Sequence, residues 1–83
     1  MNKQRQKGID TMRGNQTRLM DEFDISSEQF DEIIKLYGEG YGKGDTTGEL
    51  LRKDITKGYI KDNVVIVSKE ISDIIDKVRT EMN

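Results

Sequence analysis

The chain of 83 residues contains no cysteine, no histidine and no tryptophan. Without cysteine, neither a disulfide framework nor a thiolate metal site can stabilise the fold. Without histidine, a zinc site would depend on carboxylates alone, and the usual general base near pH 7 is missing. We therefore expect neither a cofactor nor a metal site.

Long apolar runs are missing as well. No run reaches the roughly 18–20 apolar residues of a membrane-spanning helix, and the first residues lack the apolar region of a signal peptide. We therefore expect a cytoplasmic protein, in the host cell if a phage encodes it, with no membrane contact. Residues 1–83 are expected to form a single domain, and only 33% of them are apolar. A small core of this kind could gain buried area from a partner protein or from a second copy in a homodimer.

Charge is distributed unevenly over the first third of the chain. Residues 1–20 hold five basic residues and one acidic residue, and residues 21–32 hold six acidic residues and no basic one. The basic residues are Lys3, Arg5, Lys7, Arg13 and Arg18, and the acidic residues are Asp21, Glu22, Asp24, Glu28, Asp31 and Glu32. The two blocks are either solvated helix faces or a nucleic-acid-binding arm beside an acidic protein-binding face.

Two helices are predicted before residue 38. Apolar residues near one helical face predict a helix over roughly 9–22, which could break at Gly14-Asn15, with residues 1–8 as a frayed basic arm. Ser26 and Gln29 match a capping box, which predicts a second helix over 27–37 with Gly38 as its stop. Ile25 and Phe30 are spaced for the hydrophobic staple of that helix.

The stretch from Gly38 to Gly48 is predicted to be a loop, because five of its eleven residues are glycine. It is either a connector or a ligand-binding loop. A dinucleotide-binding loop would follow a strand, and a P-loop would read Gly-Lys-Ser/Thr, whereas this loop follows a helix and reads Gly42-Lys43-Gly44.

A strand over 49–55, turns at 56–58 and 61–63, and a strand over 64–67 predict a hairpin. The second strand is apolar at every position, so it is expected to be covered on both faces. Ser68 then caps a last helix with apolar residues at helical spacing up to Met82. The predicted fold class is α+β: two N-terminal helices, a Gly-rich loop, and a β-hairpin that packs on the C-terminal helix and on the Phe30 helix.

The hairpin carries the run Arg52-x-Asp54-x-x-Lys57-Gly58-Tyr59-x-x-x-Asn63-Val64-x-x-Val67-Ser68. This run resembles the ββα core of small phage-type HNH endonucleases. The segment Phe23-Asp24-Ile25-Ser26 and the helix behind it resemble the part of those proteins that precedes the core. The resemblance implies the same scaffold, in which Asn63 ties the loop together.

The resemblance stops at the residues of the reaction. The family has an acidic or histidine pair where this chain has Leu50-Leu51, and Ser72 stands near the position of its last metal-binding residue. The resemblance therefore implies a catalytically degenerate member, which is not an enzyme. By structural roles alone, Gly58 serves the turn, Tyr59 is half-buried core, and Asp54 is solvated or paired with Arg52.

Three functions remain open from the sequence. The first is a non-catalytic protein that uses the acidic block to bind and modulate a host nucleic-acid-processing enzyme, for example a CRISPR or restriction nuclease. The second is a DNA-binding regulator that contacts phosphates through Arg5, Arg13, Arg18, Arg52, Lys53, Lys57 and Lys61. The third is a residual metal-dependent nuclease that uses Asp54 with Asp45, Glu49 or Asp62.

Overall fold

The computed structural model describes residues 3–42 and 44–81. Over these ranges the fold is α+β, with helices and one two-stranded antiparallel sheet, as predicted. The elements in chain order are α1 (Lys3–Gly14), α2 (Gln16–Phe23), α3 (Ser27–Gly38), β1 (Gly48–Arg52), a 3₁₀ turn (Lys61–Asn63), β2 (Val64–Ser68) and α4 (Lys69–Glu81). None of the described helices has the length and apolar content that a membrane span requires.

The N-terminal segment forms two helices that meet at Asn15. The predicted break at this point is confirmed, and α1 begins at Lys3, ahead of the predicted residue 9. Residues 3–8, assigned to a basic arm from the sequence, are thus part of a helix. The Asn15 side chain donates to Thr11 O at 2.9 Å, and its backbone N–H donates to Met12 O at 3.1 Å. Such local bonds compete with the helical ladder and favour a break here.

Helix α3 begins as predicted. Gln29 N–H donates to Ser26 Oγ at 3.1 Å, and Ser26 N–H donates to Gln29 Oε1 at 2.8 Å, so the capping box is confirmed. Ile25 and Phe30 on either side of the cap are both buried in the core. The predicted stop is wrong: Gly38 is the last helical residue, one residue beyond the predicted end of the helix, and the first glycine with positive φ is Gly40.

The hairpin pairs β1 with β2 in a register that places Leu51 opposite Val65 and Leu50 opposite Ile66. Leu51 is buried, and both strands pack on α4. The other face of the sheet is open: Leu50 is 49% and Ile66 is 75% exposed. The prediction that β2 is covered on both faces is therefore wrong, because α4 packs on one face only.

The core lies between the helices. Phe30 of α3 and Ile74 and Val78 of α4 are almost fully buried. Helix α3 packs on α4 and α1, so the sheet meets the rest of the protein mainly through α4. The hairpin was predicted to pack on α3, which contains Phe30. Instead, α3 packs mainly on α4 and α1, and α4 lies against the hairpin. Met82, at the end of the predicted last helix, lies outside the described residues.

Candidate functional site

The loop between β1 and β2 is held by Asn63. Its Oδ1 accepts the Asp54 N–H at 2.9 Å, and its Nδ2 donates to Asp54 O at 3.1 Å and to Gly58 O at 2.9 Å. Asn63 is buried, so these bonds replace the water that its amide would otherwise bind. The side chain therefore closes residues 54–63 into one rigid loop, which is the role that the resemblance implied for it.

Arg79 supports the same loop from α4. Its guanidinium donates to Arg52 O at 2.7 Å and to Lys53 O at 2.6 Å, and the residue is buried. Burial lowers the pKa of Arg79, which nevertheless stays charged because a free guanidinium titrates far above neutral pH. The sequence prediction missed this residue, although its position four residues after Ile75 places it on the buried face of α4.

Asp54 is bonded within the loop. Its Oδ1 accepts the Thr56 hydroxyl at 2.6 Å and the Thr56 N–H at 2.9 Å, and these bonds lower the pKa of Asp54. Arg52 does not pair with Asp54. It donates to Ile55 O and Lys57 O, both at 3.3 Å, and lies 5.2 Å from the centre of the Tyr59 ring.

The exposed side of the loop is basic and apolar. Lys57 and Lys61 are exposed, and they flank Tyr59, which is 67% exposed, and Ile60. The prediction that Tyr59 is half-buried core is therefore wrong. We call Lys57, Tyr59, Ile60 and Lys61 the loop tip. Lys53, at the base of the loop, is half-buried.

The three N-terminal arginines are engaged in ion pairs. Arg5 pairs with Glu70, Arg13 with Asp31 at 2.8 Å, and Arg18 with Glu22 at 3.3 Å. Arg13 also lies 5.4 Å from the centre of the Phe30 ring. Of the predicted nucleic-acid-binding residues, Lys57 and Lys61 are exposed and have no ion pair among the described residues, so their charge is more available than that of these arginines.

The acidic block divides into paired and unpaired residues. Glu22 and Asp31 carry the ion pairs described above, and Glu32 is half-buried. Asp21, Asp24 and Glu28 are exposed, and none of them has an ion-pair partner among the described residues. They surround the turn from α2 to α3, and we call these three residues the acidic corner.

The Gly-rich loop encloses an internal carboxylate. Gly44 N–H donates to Glu70 Oε1 at 3.1 Å, and Arg5 Nη1 contacts the same oxygen. Gly42 has φ +87°, and a Cβ built there would lie 2.7 Å from Glu70 Cγ, so glycine is required for this close approach. The loop thus presents backbone N–H to an anion as a ligand loop would, but the anion is Glu70. The sequence prediction missed this partner.

The positions where the resembling family carries its chemistry hold two leucines and a buried serine in this chain. Leu51 is core, and Ser72 is buried with its Oγ lacking a hydrogen-bond partner among the described residues. Asp45, like Asp54, is bonded to a nearby threonine, with Thr47 N–H donating to its Oδ1 at 3.0 Å. In residues 3–42 and 44–81, no three carboxylates come together in a group that could hold a metal ion.

A cleft of about 680 Å³ lies between β2 and the N-terminal helices. Its walls are mainly apolar, and Arg18 and Glu22 contribute its charged residues. The apolar residues include Met12, Leu19, Phe23, Ile33, Val65 and Ile71. This volume is within the range of about 300–1,000 Å³ of ligand pockets. The cleft leaves one side of β2 without a neighbouring element.

Comparison of the chain with protein-family models, with curated proteins and with solved structures gives no match.

Proposed function

We propose that this chain is a non-catalytic binding protein that uses its acidic corner to occupy the basic groove of a nucleic-acid-processing enzyme and so modulate or inhibit it. A CRISPR or restriction nuclease is the kind of enzyme that such a surface fits. The observation that carries the proposal is that Asp21, Asp24 and Glu28 are exposed and that none of them has an ion-pair partner in residues 3–42 and 44–81. Carboxylates in such an array complement a groove that binds phosphates.

The corner is supported on a rigid turn. Asp24 adopts φ +51°, Ile25 N–H donates to Met20 O at 3.1 Å, and Phe23 and Ile25 are both buried. The capping box of Ser26 fixes the start of the next helix. A charged surface that is already ordered loses less entropy on binding, which favours affinity.

The hairpin adds support of another kind. Asn63 holds the hairpin loop by hydrogen bonds, as the resemblance implies. Leu51, at a position where the resembling family has a reactive residue, lies in the core. If the chain shares its origin with the nucleases that it resembles, the scaffold has been kept for its shape. That history favours a binding role over a reaction.

The experiment is affinity capture from a nuclease-treated bacterial lysate with three forms of the protein. The wild type is compared with a corner variant, in which Asp21→Lys, Asp24→Asn and Glu28→Lys are combined. Asn is used at position 24 because it tolerates the positive φ. A control variant combines Asp10→Lys, Glu39→Lys and Asp62→Asn, which changes the net charge equally at other exposed positions.

We expect wild type and control to retain the same protein, duplex DNA to displace it, and the corner variant to lose it. Displacement by DNA identifies the contacted surface as a nucleic-acid groove. Recovery of no protein with the wild type, or equal retention by the corner variant, would overturn the proposal.

A second candidate is nucleic-acid binding through the loop tip, favoured by the exposure of Tyr59 between Lys57 and Lys61. An aromatic ring beside cations suits base stacking and phosphate contact. If the loop tip binds single-stranded DNA in this way, affinity should fall steeply with salt. A double variant with Lys57→Glu and Lys61→Glu should bind more weakly than a control with Lys7→Glu and Lys35→Glu. The control changes the net charge equally at exposed positions outside the loop tip. An affinity that is flat with salt contradicts this function.

A further inference from the structure

The register of the hairpin determines which backbone groups of β2 face outward. Lys53 N–H donates to Asn63 O at 2.8 Å, and Lys69 N–H donates to Thr47 O at 2.7 Å. Both pairs continue the β1–β2 register beyond its two ends. Hydrogen-bonded and non-hydrogen-bonded pairs alternate along an antiparallel ladder. Counting from the bonded residues Asn63 and Lys69, every second residue of β2 bonds to β1, and these residues are Val65 and Val67.

The N–H and C=O of Ile66 therefore point away from β1. Within the described parts of the chain, no hydrogen bond reaches either group. β2 packs on β1 and α4, and on its other side it borders the cleft through Val65, Ile66 and Val67. The outer edge of β2 thus offers a donor and an acceptor with open space beside them.

This edge lacks the features that usually prevent strands from pairing. Edge strands commonly carry a charged residue, a proline or a bulge, whereas residues 64–67 are Val-Val-Ile-Val in an unbroken register. Ile66 at the centre is also 75% exposed. A two-stranded sheet is marginal by itself, so this sheet would gain stability from further strands.

We propose that β2 pairs antiparallel with β2 of a second copy of this chain, about a two-fold axis at Ile66, to form a four-stranded sheet across the dimer. Ile66 then lies opposite the partner's Ile66, and each donates its N–H to the other's C=O. On the outer face of the four-stranded sheet, Leu50, Ile66, the partner's Ile66 and the partner's Leu50 then lie side by side and form one apolar row.

The charges near this edge favour a second copy as the occupant. Arg52 is the only charged residue on the outer face of the β1–β2 ladder, beside Val64. The antiparallel arrangement places Val64 next to the partner's Ser68, beyond which lies the partner's Gly48. The two copies of Arg52 are then at opposite corners of the sheet, and no like charges meet on its outer face. The pairing is independent of the acidic corner and goes beyond the proposed function.

A cysteine at position 66 tests the pairing directly, because the chain has no other cysteine. Opposed residues of a hydrogen-bonded antiparallel pair have Cα atoms about 5.5 Å apart, which suits a disulfide. Leu50→Cys is the matched control: it lies on the same face, but three strand spacings, about 14 Å, separate its two copies. Both positions are exposed, so neither substitution disturbs the core.

Under mild oxidation, we expect Ile66→Cys to form a covalent dimer and Leu50→Cys to stay monomeric on a non-reducing gel. Wild-type protein should sediment as a dimer. Ile66→Pro removes the outward N–H without breaking a ladder bond, and should give a monomer with unchanged helical circular dichroism. Leu50→Pro, on the outer edge of β1, should remain dimeric.

A wild-type protein that sediments as a monomer at the concentration of an NMR sample overturns the pairing. Equal cross-linking of the two cysteine variants does so as well, because it indicates random collision. If either proline variant fails to fold, sedimentation of the wild type and the cysteine comparison still decide the result.

Discussion

Arg5 of α1 and Glu70 of α4 form an ion pair although they are 65 residues apart in the chain. Their side chains are 18% and 8% exposed, respectively. Gly44 N–H donates to the same Glu70 oxygen at 3.1 Å, and Arg5 also donates to Tyr37 O at 3.2 Å. The pair therefore joins both ends of the described chain to the Gly-rich loop and to α3.

Glu70→Gln should lower the free energy of unfolding by about 1.5–3 kcal/mol, because it replaces the buried charged acceptor of Arg5 and of Gly44 N–H with a neutral amide. Urea denaturation measures the loss. Glu28→Gln is the control, since Glu28 is also in the first turn of a helix but is exposed, and its loss should be at most about 1 kcal/mol. Equal losses would show that the internal contacts of Glu70 contribute little.

Asn63→Ala should cost about 2–4 kcal/mol, because it removes three hydrogen bonds made by a buried side chain to partly buried backbone groups of the loop. Hydrogen exchange at the Asp54 N–H should accelerate at the same time. Asn15→Ala removes a single side-chain bond from an exposed site and should cost less than about 1 kcal/mol. An Asp54 N–H that remains protected in Asn63→Ala would contradict the role of this side chain.

The Asp54 carboxylate gives the loop a dependence on pH. The Thr56 hydroxyl, followed by the Thr56 N–H, lowers the pKa of Asp54. A lowered native pKa contributes stability above the unfolded pKa, about 3.9, and that stability is lost as the pH falls through the native pKa. Thr56→Val removes the larger cause, so the pKa of Asp54 should rise and the loss of stability below about pH 4 should become smaller.

Carboxyl carbon NMR titration measures this shift. Asp45 provides an internal control, because its pKa is lowered by Thr47 and should not change in Thr56→Val. If Asp54 has the same pKa in Thr56→Val as in the wild type, its lowered pKa is caused by groups other than the Thr56 hydroxyl.

Ser72 and Ser68 should respond in opposite directions to the same substitution. Ser72 Oγ is buried with no hydrogen-bond partner in the described part of the chain, so Ser72→Ala should be neutral or stabilising by about 1 kcal/mol. Ser68 Oγ accepts the Ile71 N–H at 3.3 Å at the start of α4, so Ser68→Ala should destabilise by about 1 kcal/mol. Thermal unfolding of the two variants checks the signs.

The sequence predicted well wherever neighbouring residues determine the structure. The capping box of Ser26 and Gln29, the break at Asn15 and the helix after Ser68 depend on side chains within four residues. The fold class followed from these local patterns.

Contacts between distant residues could not be predicted in the same way. Nothing near Glu70 indicates that Arg5 will reach it, and nothing near Arg79 indicates the carbonyl groups of Arg52 and Lys53. The apolar run of β2 shows that burial is favourable there, but it does not show how many faces the fold will cover. The sequence also could not show which acidic residues form ion pairs. Glu22 and Asp31 do so, and Asp21 forms none among the described residues.

The Arg5–Glu70 pair also bears on the order in which the chain folds during synthesis. Asn63 and Asp54 are nine residues apart, so the hairpin loop closes at a small entropic cost as soon as both have left the ribosome. Helix α1 is made first, yet its contact with Glu70 must wait until α4 exists. Helix α1 can already pack on α3, so the contact with α4 completes the attachment of α1, and such non-local contacts form slowly.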